Sequence, residues 1–202
     1  MIPLFKDIDT ALEEIADGWT SPKQGHQIAE AIIKLQPELS IEVGVFAGKG
    51  IICMGMAHAY IRKGHVIGID PWSSGASIEG QVDPVHKNWW ANLNHESIYE
   101  KCVANVTKYG LDRIVTLIRK KSDEVVPAAG IGFLRLDGNH GKTAMRDVKR
   151  FCPNVIPGGI LHLDDADWAD GARANGSDAW LQNNGWKEID RIDTGAVYEK
   201  AK

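Results

Sequence analysis

The chain is short of cysteine and has no excess of basic residues, and each shortage excludes a class of protein. Its three cysteines are odd in number and too far apart for zinc-pair spacing, so we expect neither a disulfide framework nor a zinc site. The net charge is -4, and the Lys and Arg residues are scattered along the chain. We therefore expect no nucleic-acid partner, because such proteins present a basic stripe or patch.

Long apolar runs are also missing. No segment reaches the roughly 18 consecutive apolar residues of a membrane span, so we expect no membrane partner. The first residues turn polar and acidic almost at once, unlike a signal peptide, and we expect a cytoplasmic protein. With 202 residues, 44% hydrophobic and 25% charged, the composition is typical of one domain over residues 1–202.

Helices and strands alternate along this chain. Residues 1–36 are predicted to form two helices, one over about 7–16 and one that Ser21 caps and Pro22 begins. Seven strands follow, at about 39–45, 65–69, 114–118, 132–136, 159–163, 186–192 and 196–200. The helices between them are predicted at about 48–62, 97–109, 122–128 and 142–151. This alternation predicts an α/β fold with a mostly parallel sheet, closed by an antiparallel hairpin at the C-terminal end.

A long polar segment interrupts that alternation. Residues 73–96 are rich in Ser, Gly, Asp, Asn and Trp and lie between a strand and a helix. A connection of this length in a compact domain is typical of a functional loop. We expect it to be a lid or a substrate loop.

A glycine-rich turn follows the first strand, in the stretch Ile41-Glu-Val-Gly-Val-Phe-Ala-Gly-Lys-Gly50. Glycine lets the backbone approach a ligand closely. The spacing Gly-x-x-x-Gly-x-Gly differs from the Gly-x-Gly-x-x-Gly of dinucleotide-binding proteins, which disfavours a nicotinamide cofactor. Asp70 ends the second strand, where a carboxylate is well placed to accept the hydroxyl hydrogens of a ribose.

Acidic residues end two later strands. Asp137 follows one of them, and Asp164 and Asp165 follow the next. Three carboxylates at one edge of a sheet repel one another unless they are protonated, separated by water or neutralised by a cation, and hard divalent ions prefer oxygen ligands. The alternative is that each Asp caps the helix after it.

Together these motifs resemble the class I S-adenosylmethionine-dependent methyltransferases over nearly the whole chain. The stretch from Glu42 to Gly48 is similar to their first motif, Asp70 to their ribose-binding acid, and Pro157-Gly-Gly159 to the turn before their fifth strand. The resemblance implies a Rossmann-like seven-stranded sheet with helices on both faces. The cofactor contacts that it implies are Glu42, Gly44, Phe46, Gly48, Asp70, Trp72, Ser122 and Asp137.

Within that superfamily, Asp137-Gly-Asn-His140 together with Asp164-Asp165 is similar to metal-dependent O-methyltransferases of the catechol and macrolide-sugar types. The resemblance implies that Asp137, Asp164 and Asp165 hold a divalent ion such as Mg²⁺, and that His140 is the general base. The acceptor would be a hydroxyl of a small molecule. Many relatives assemble, so a homo-oligomer is possible.

Three alternatives stay open at this point. The first is a metal-independent methyltransferase in which Asp137 and Asp164 contact the substrate directly and His140 works alone. The second is a nicotinamide-dependent oxidoreductase, and the third is a cofactor-binding module without catalysis. Trp89, Trp90 and Trp168 would line an acceptor pocket, or else lie in the core or a subunit contact.

Overall fold

A single seven-stranded sheet organises the chain. The computed structural model describes residues 3–80, 83–168 and 171–202. The strands are β1 Leu39–Val43, β2 His65–Asp70, β3 Val115–Arg119, β4 Ile131–Leu136, β5 Val155–Leu163, β6 Trp186–Ile192 and β7 Gly195–Lys200. The α-helices are α1 Pro3–Glu14, α2 Pro22–Leu35, α3 Lys49–Ile61, α4 Ser74–Ser77, α5 Pro84–Asn92, α6 His95–Lys108, α7 Lys142–Phe151, α8 Ala172–Asn175 and α9 Ser177–Asn183.

The strand order is β3-β2-β1-β4-β5-β7-β6. Strands β1 to β5 pair in parallel, whereas β7 runs antiparallel to both β5 and β6. The predicted fold class is confirmed, including the antiparallel hairpin at one end of the sheet. In open α/β sheets, ligands bind at the carboxyl ends of the parallel strands, and this topology brings the predicted motifs to that edge.

Hydrophobic side chains cover both faces of the sheet. Successive residues of a strand point to opposite faces, and in β4 Phe133 packs with the cluster under α1, α2 and α3, while Leu134 packs with the cluster under α7. Helix α1 buries four side chains against this first cluster, so it belongs to the core. Within the described ranges, no helix combines the length and the apolarity needed to cross a bilayer.

Several predicted boundaries differ from the structure. The segment 73–96 contains α4 and α5, which begin at side-chain caps: Ser73 accepts from Ala76 N at 3.3 Å, and Asp83 accepts from Val85 N at 2.7 Å. The predicted helix at 122–128 is wrong, since only a 3₁₀ turn forms at Ser122–Glu124. Pro127 accounts for this, because proline disfavours helical conformation in the residue before it. The short helices α8 and α9 were not predicted.

A buried ion pair lies between the sheet and α3. Arg135 is 1% exposed and Glu42 is fully buried, and Arg135 Nη1 donates to Glu42 Oε1 over 2.6 Å. Gly50, in the first turn of α3, makes room for this pair. A Cβ at that position would overlap Glu42 Oε1 and would lie 2.7 Å from Arg135 Nη1.

Replacing Gly50 by Ala is expected to lower the free energy of unfolding by about 2–3 kcal/mol, because the methyl group would displace the buried ion pair. In an unobstructed helix the same change is neutral or stabilising. Gly75→Ala in α4 is the matched control, since a Cβ there meets nothing within 4 Å. Denaturant unfolding of both variants would measure the difference, and equal stability would refute this role of Gly50.

Candidate functional site

The main cavity opens at the carboxyl ends of β1, β2, β3 and β4. The residues that line it include Val43, Gly44, Phe46, Ile69, Asp70, Pro71, Trp72, Trp90, His95, Ser122, Asp137, Gly138, Asn139, His140 and Asp147. Six of the eight predicted cofactor contacts are among them. A smaller cavity next to it is lined by Leu163, Asp164 and Gly171, and shares Asn139 and His140 with the first.

The turn after β1 requires glycine at its first position. Gly44 has φ 85°, and a Cβ there would overlap the backbone carbonyl of Asp137. Its N–H donates to the carbonyl of Ile69 at 2.9 Å. Phe46 in the same turn has φ 51°, a conformation that costs energy in any residue other than glycine and is frequent at functional sites.

Asp70 holds this turn in place. Its Oδ2 accepts hydrogen bonds from Val45 N and Phe46 N, each at 3.0 Å, and its Oδ1 accepts from Trp72 N at 2.7 Å. Trp72 Nε1 donates to the Phe46 carbonyl at 2.8 Å, which joins the turns after β1 and β2 a second time. Burial raises the pKa of Asp70, although the three N–H donors oppose that shift. A carboxylate offers about four acceptor positions, so one stays available to a ligand.

Two predicted cofactor contacts do not line the cavity. Glu42 is fully buried behind the turn, where burial raises the pKa of its carboxyl to about 7 against the opposing charge of Arg135. Gly48 caps the start of α3 with φ 99°, and its N–H donates to the carbonyl of Val45. Both residues shape the turn from behind, so a direct contact of either one with the cofactor stays an untested prediction.

Ser122 lines the cavity beside Asp147, a residue that the sequence analysis missed. Its Oγ donates to Asp147 Oδ1 at 2.6 Å, and burial raises the pKa of Asp147 to about 6. Asp147 is 3% exposed and lies beside Val148 and Phe151 on the buried face of α7. An acidic residue at a core-facing position of the predicted helix was the signal that pointed to it.

Arg135 is the second residue that the sequence analysis missed. Its Nη1 lies 2.5 Å from Asp137 Oδ2, and its Nη2 lies 2.9 Å from Asp164 Oδ2. The other oxygen of Asp164 accepts from Gln24 Nε2 at 2.9 Å. The guanidinium therefore stands between two of the three predicted metal ligands. The sequence did contain a signal for this contact. Arg135 interrupts an apolar strand two residues before Asp137, and side chains at that spacing point to the same face of the sheet.

The pKa values of the three acids shift in different directions. Burial raises the pKa of Asp137 well above its usual range, and the neighbouring Asp164 carboxylate adds to this shift while Arg135 opposes it. Burial also acts to raise the pKa of Asp164, but Arg135, His162 and the Asp137 carboxyl lower it overall. The pKa of Asp165 is raised by burial and then by Asp164.

Asp165 turns away from Arg135 toward His140. Its Oδ1 accepts from Thr194 Oγ1 at 2.8 Å, and its Oδ2 lies 3.6 Å from His140 Nε2. The indole of Trp168 stacks on the His140 ring at a centroid distance of 5.1 Å. Asp165 and Trp168 thus contact the His140 side chain from two directions. The side chain is still 21% exposed and lines the cavity.

The acids do not cap helices, which was the alternative interpretation. The N-cap of α7 is Gly141, and that of α8 is Gly171. The acids instead hold Arg135 and face His140. A capping role therefore does not explain their position.

The predicted metal ligands fit a divalent ion poorly in this arrangement. Across the described ranges, no group of three or more His, Cys, Asp or Glu side chains is arranged to hold a metal ion. Both oxygens of Asp164 and one oxygen of Asp137 already accept hydrogen bonds. An ion bound to all three acids would have to compete with the guanidinium for two of them, at a distance where like charges repel strongly.

Comparisons with known proteins show which family and which solved structures this chain resembles. The model of a family described as a methyltransferase domain matches residues 41–166. A search of curated proteins found no match. Among solved structures, the O-methyltransferase NovP is 16% identical to this chain with a TM-score of 0.73. The match covers 99% of this chain and 97% of the NovP chain.

Two more solved structures are similar over the whole chain. The O-methyltransferase TomG from Streptomyces achromogenes, in complex with SAM, is 14% identical with a TM-score of 0.67, covering 100% of this chain and 90% of its own. The SAH-bound methyltransferase PaMTH1 from Podospora anserina is 12% identical with a TM-score of 0.66, covering 100% and 88%. At these identities the likeness shows a shared fold, and the substrates of these enzymes do not identify the substrate of this chain.

Replacing Asp70 by Asn is expected to lower the free energy of unfolding by about 1–3 kcal/mol, because the amide would turn an NH₂ group toward a backbone N–H that now donates to the carboxylate. Asp83→Asn is the control, since the exposed Asp83 also accepts two backbone N–H groups, and Asn caps a helix about as well as Asp. Thermal unfolding of both variants would test this. Similar losses in the two variants would contradict a special role of Asp70.

Proposed function

The chain belongs to the methyltransferase family whose model matches it, the S-adenosylmethionine-dependent methyltransferases, and we propose that it methylates a hydroxyl oxygen of a small molecule. The observation that carries this proposal is the position of His140, which lines the same cavity as the turn after β1 and Asp70. A proton acceptor beside a cofactor cavity is what O-methylation requires. The nicotinamide oxidoreductase alternative is wrong for a member of this family.

The cofactor is assigned to the main cavity. Gly44 and Phe46 would contact it from the turn after β1, and Asp70 would use its remaining acceptor position for a ribose hydroxyl. Ser122 and Asp147 present polar groups on the β3 side of the cavity. Asp137 lines the cavity on the side of His140.

The reaction is a displacement at carbon. When bound, S-adenosylmethionine would supply the methyl group from its sulfonium and leave as a neutral thioether, as the acceptor oxygen forms the new bond to the methyl carbon. The acceptor's hydroxyl proton passes to His140, which acts as the general base. Orientation of the two reactants supplies much of the acceleration, since a well-aligned pair reacts as though it were one molecule.

Asp165 supports His140 in this role. At 3.6 Å the contact between His140 Nε2 and Asp165 Oδ2 is electrostatic, and too long for a hydrogen bond. The carboxylate favours the tautomer that carries its hydrogen on Nε2, which leaves Nδ1 as the proton acceptor. The imidazolium that forms is then stabilised by the nearby carboxylate.

A metal-assisted form of the reaction is the second candidate. In its favour, Asp137, Asp164 and Asp165 lie at one edge of the sheet beside His140, and an ion there would lower the pKa of a bound hydroxyl. Against it, Arg135 already binds Asp137 and Asp164. Because the three carboxylates fit an ion poorly, proton removal is assigned to His140 alone.

Two other expectations stay proposals. We propose a cytoplasmic location, which agrees with the buried free thiols of Cys53, Cys102 and Cys152. Homo-oligomerisation is proposed from the resemblance alone. Sedimentation of the purified protein would decide it.

Replacing His140 by Ala is expected to lower turnover about 100-fold or more and to leave the binding of S-adenosylhomocysteine unchanged, because the base is lost and the cofactor cavity is kept. Turnover would be followed as transfer of labelled methyl to an acceptor found in a panel of hydroxylated compounds. His26→Ala is the matched control, since His26 also pairs with an acid, Asp9 at 2.7 Å, and contacts the Phe5 ring. Unchanged turnover in His140→Ala would remove this residue from the mechanism.

Magnesium is expected not to bind with one-to-one stoichiometry to chelator-treated protein saturated with S-adenosylhomocysteine, because Arg135 competes for the carboxylates. Isothermal titration calorimetry would measure this, with Asp164→Asn in parallel, and turnover is expected to persist in chelator. One-to-one binding that Asp164→Asn abolishes would establish the metal-assisted form instead.

A further inference from the structure

Three large indole rings are exposed around the cavity. Trp19 is 69% exposed, Trp89 45% and Trp168 42%. Exposed apolar surface of this size carries a hydration cost that a ligand or partner would relieve, and clusters of such surface mark binding sites.

The first two rings continue the cavity wall at Phe46. The indole of Trp19 stacks on the Phe46 ring with centroids 5.3 Å apart, and meets the ring of Trp89 edge-on at 5.7 Å. Phe46 itself lines the main cavity. Thr20, the next residue after Trp19, lies 3.4 Å from Arg135 Nη2, so this wall stands beside the buried charge cluster.

The third ring lies next to the proposed base. Trp168 stacks on His140 at 5.1 Å, and the ring of His86 is 6.1 Å from Trp168 and inclined to it by 25°. The backbone N–H of Trp168 donates to the carbonyl of Asp165, which holds this residue beside the pair of His140 and Asp165. An acceptor that lay against Trp168 would be next to the proton acceptor.

Helix α5 connects the two walls. His86, Trp89 and Trp90 are spaced i, i+3 and i+4, so they share one face of the helix. That face reaches the Trp19 wall through Trp89 and Trp90 and the Trp168 wall through His86. The helix buries no side chain of its own. The ring-bearing face of α5 is therefore left for a ligand to cover.

Charge restricts what this surface accepts. Asp165 faces His140, the ring on which Trp168 stacks, and Asp137 and Asp164 lie beside it on Arg135. The lysine and arginine that line the main cavity are Lys121 and Arg146, and both pair with Glu79. An anionic acceptor would meet these carboxylates, and the two cations of the neighbouring cavity are already paired.

Polarity restricts it further. A sugar brings several hydroxyls that each need a partner, and an unpaired buried hydroxyl costs free energy. The walls consist of indole, phenyl and imidazole rings, and both oxygens of Asp164 are engaged. A flat ring that stacks on these walls avoids that cost.

We propose that the aromatic surface formed by Trp19, Trp168 and the face of α5 that contacts both of them is the acceptor site, and that it takes a planar aromatic ring that carries a hydroxyl group and no negative charge. This inference rests on the proposed O-methylation. The continuity of the rings with the cavity and with His140 favours a small ligand over a second copy of the chain as the occupant.

Three probes built on the same two-ring carbon skeleton test the proposal by calorimetry on protein saturated with S-adenosylhomocysteine. They are 2-naphthol, its carboxylated analogue 6-hydroxy-2-naphthoic acid, and its saturated analogue decahydro-2-naphthol. We expect 2-naphthol to bind at least tenfold more tightly than either analogue. Trp19→Leu and Trp168→Leu should each weaken 2-naphthol binding about tenfold, the loss of one stacked ring.

Tyr60→Leu is the control, because Tyr60 is 50% exposed on α3 and contributes to none of the ring contacts of Trp19 or Trp168, and the 2-naphthol affinity of this variant should match the wild type. The acceptor proposal is overturned if the carboxylated or saturated probe binds as well as 2-naphthol, if no probe binds, or if Trp19→Leu and Trp168→Leu alter sedimentation and leave probe affinity unchanged. That last result would assign the rings to a contact between copies. Failure to bind S-adenosylhomocysteine would instead refute the proposed function, so the two failures are distinguishable.

Discussion

The rest of the site depends on one buried cation, the guanidinium of Arg135. It binds Glu42 on β1, Asp137 after β4 and Asp164 after β5, and so links the carboxyl ends of three neighbouring strands. An arginine that is 1% exposed is tolerable only with such partners, because a buried charge without them would cost several kcal/mol. The same contacts hold the carboxylates at fixed positions below the two cavities. Removing Arg135 would leave Glu42 and Asp164 without their charged partner in the interior.

Around this cluster, the cofactor cavity is built mainly from backbone. Asp70 binds three N–H groups and fixes the turn that Gly44 makes possible, since any side chain at Gly44 would collide with the end of β4. The positive φ of Phe46 is maintained by these bonds. Glycine therefore has two different purposes in one motif: Gly44 permits the turn, whereas Gly50 makes room for the ion pair behind it.

The arrangement separates charge from proton transfer. Arg135 compensates Asp137 and Asp164 on one side, while Asp165 faces His140 on the other. A base at His140 can thus act beside Asp165, while Arg135 compensates part of the charge of the other acids. The aromatic rings above it, from Trp19 to Trp168, provide apolar surface next to this polar floor. An acceptor held between them would have its hydroxyl at the polar end and its ring against the indoles.

By itself the sequence determined the fold class and the edge of the sheet at which the site lies, because strand periodicity, the glycine-rich turn and acids after strands are local signals. It also indicated Asp70, Ser122, Asp137 and His140, which do line the cavity. Only the tertiary structure decided what the acids bind. Arg135 meets Glu42 across 93 residues and Asp164 across 29, and such contacts depend on strand order and register, which local patterns do not encode. For the same reason Glu42 proved to lie behind the turn, and Trp19, from a loop before the first strand, joined the wall at Phe46.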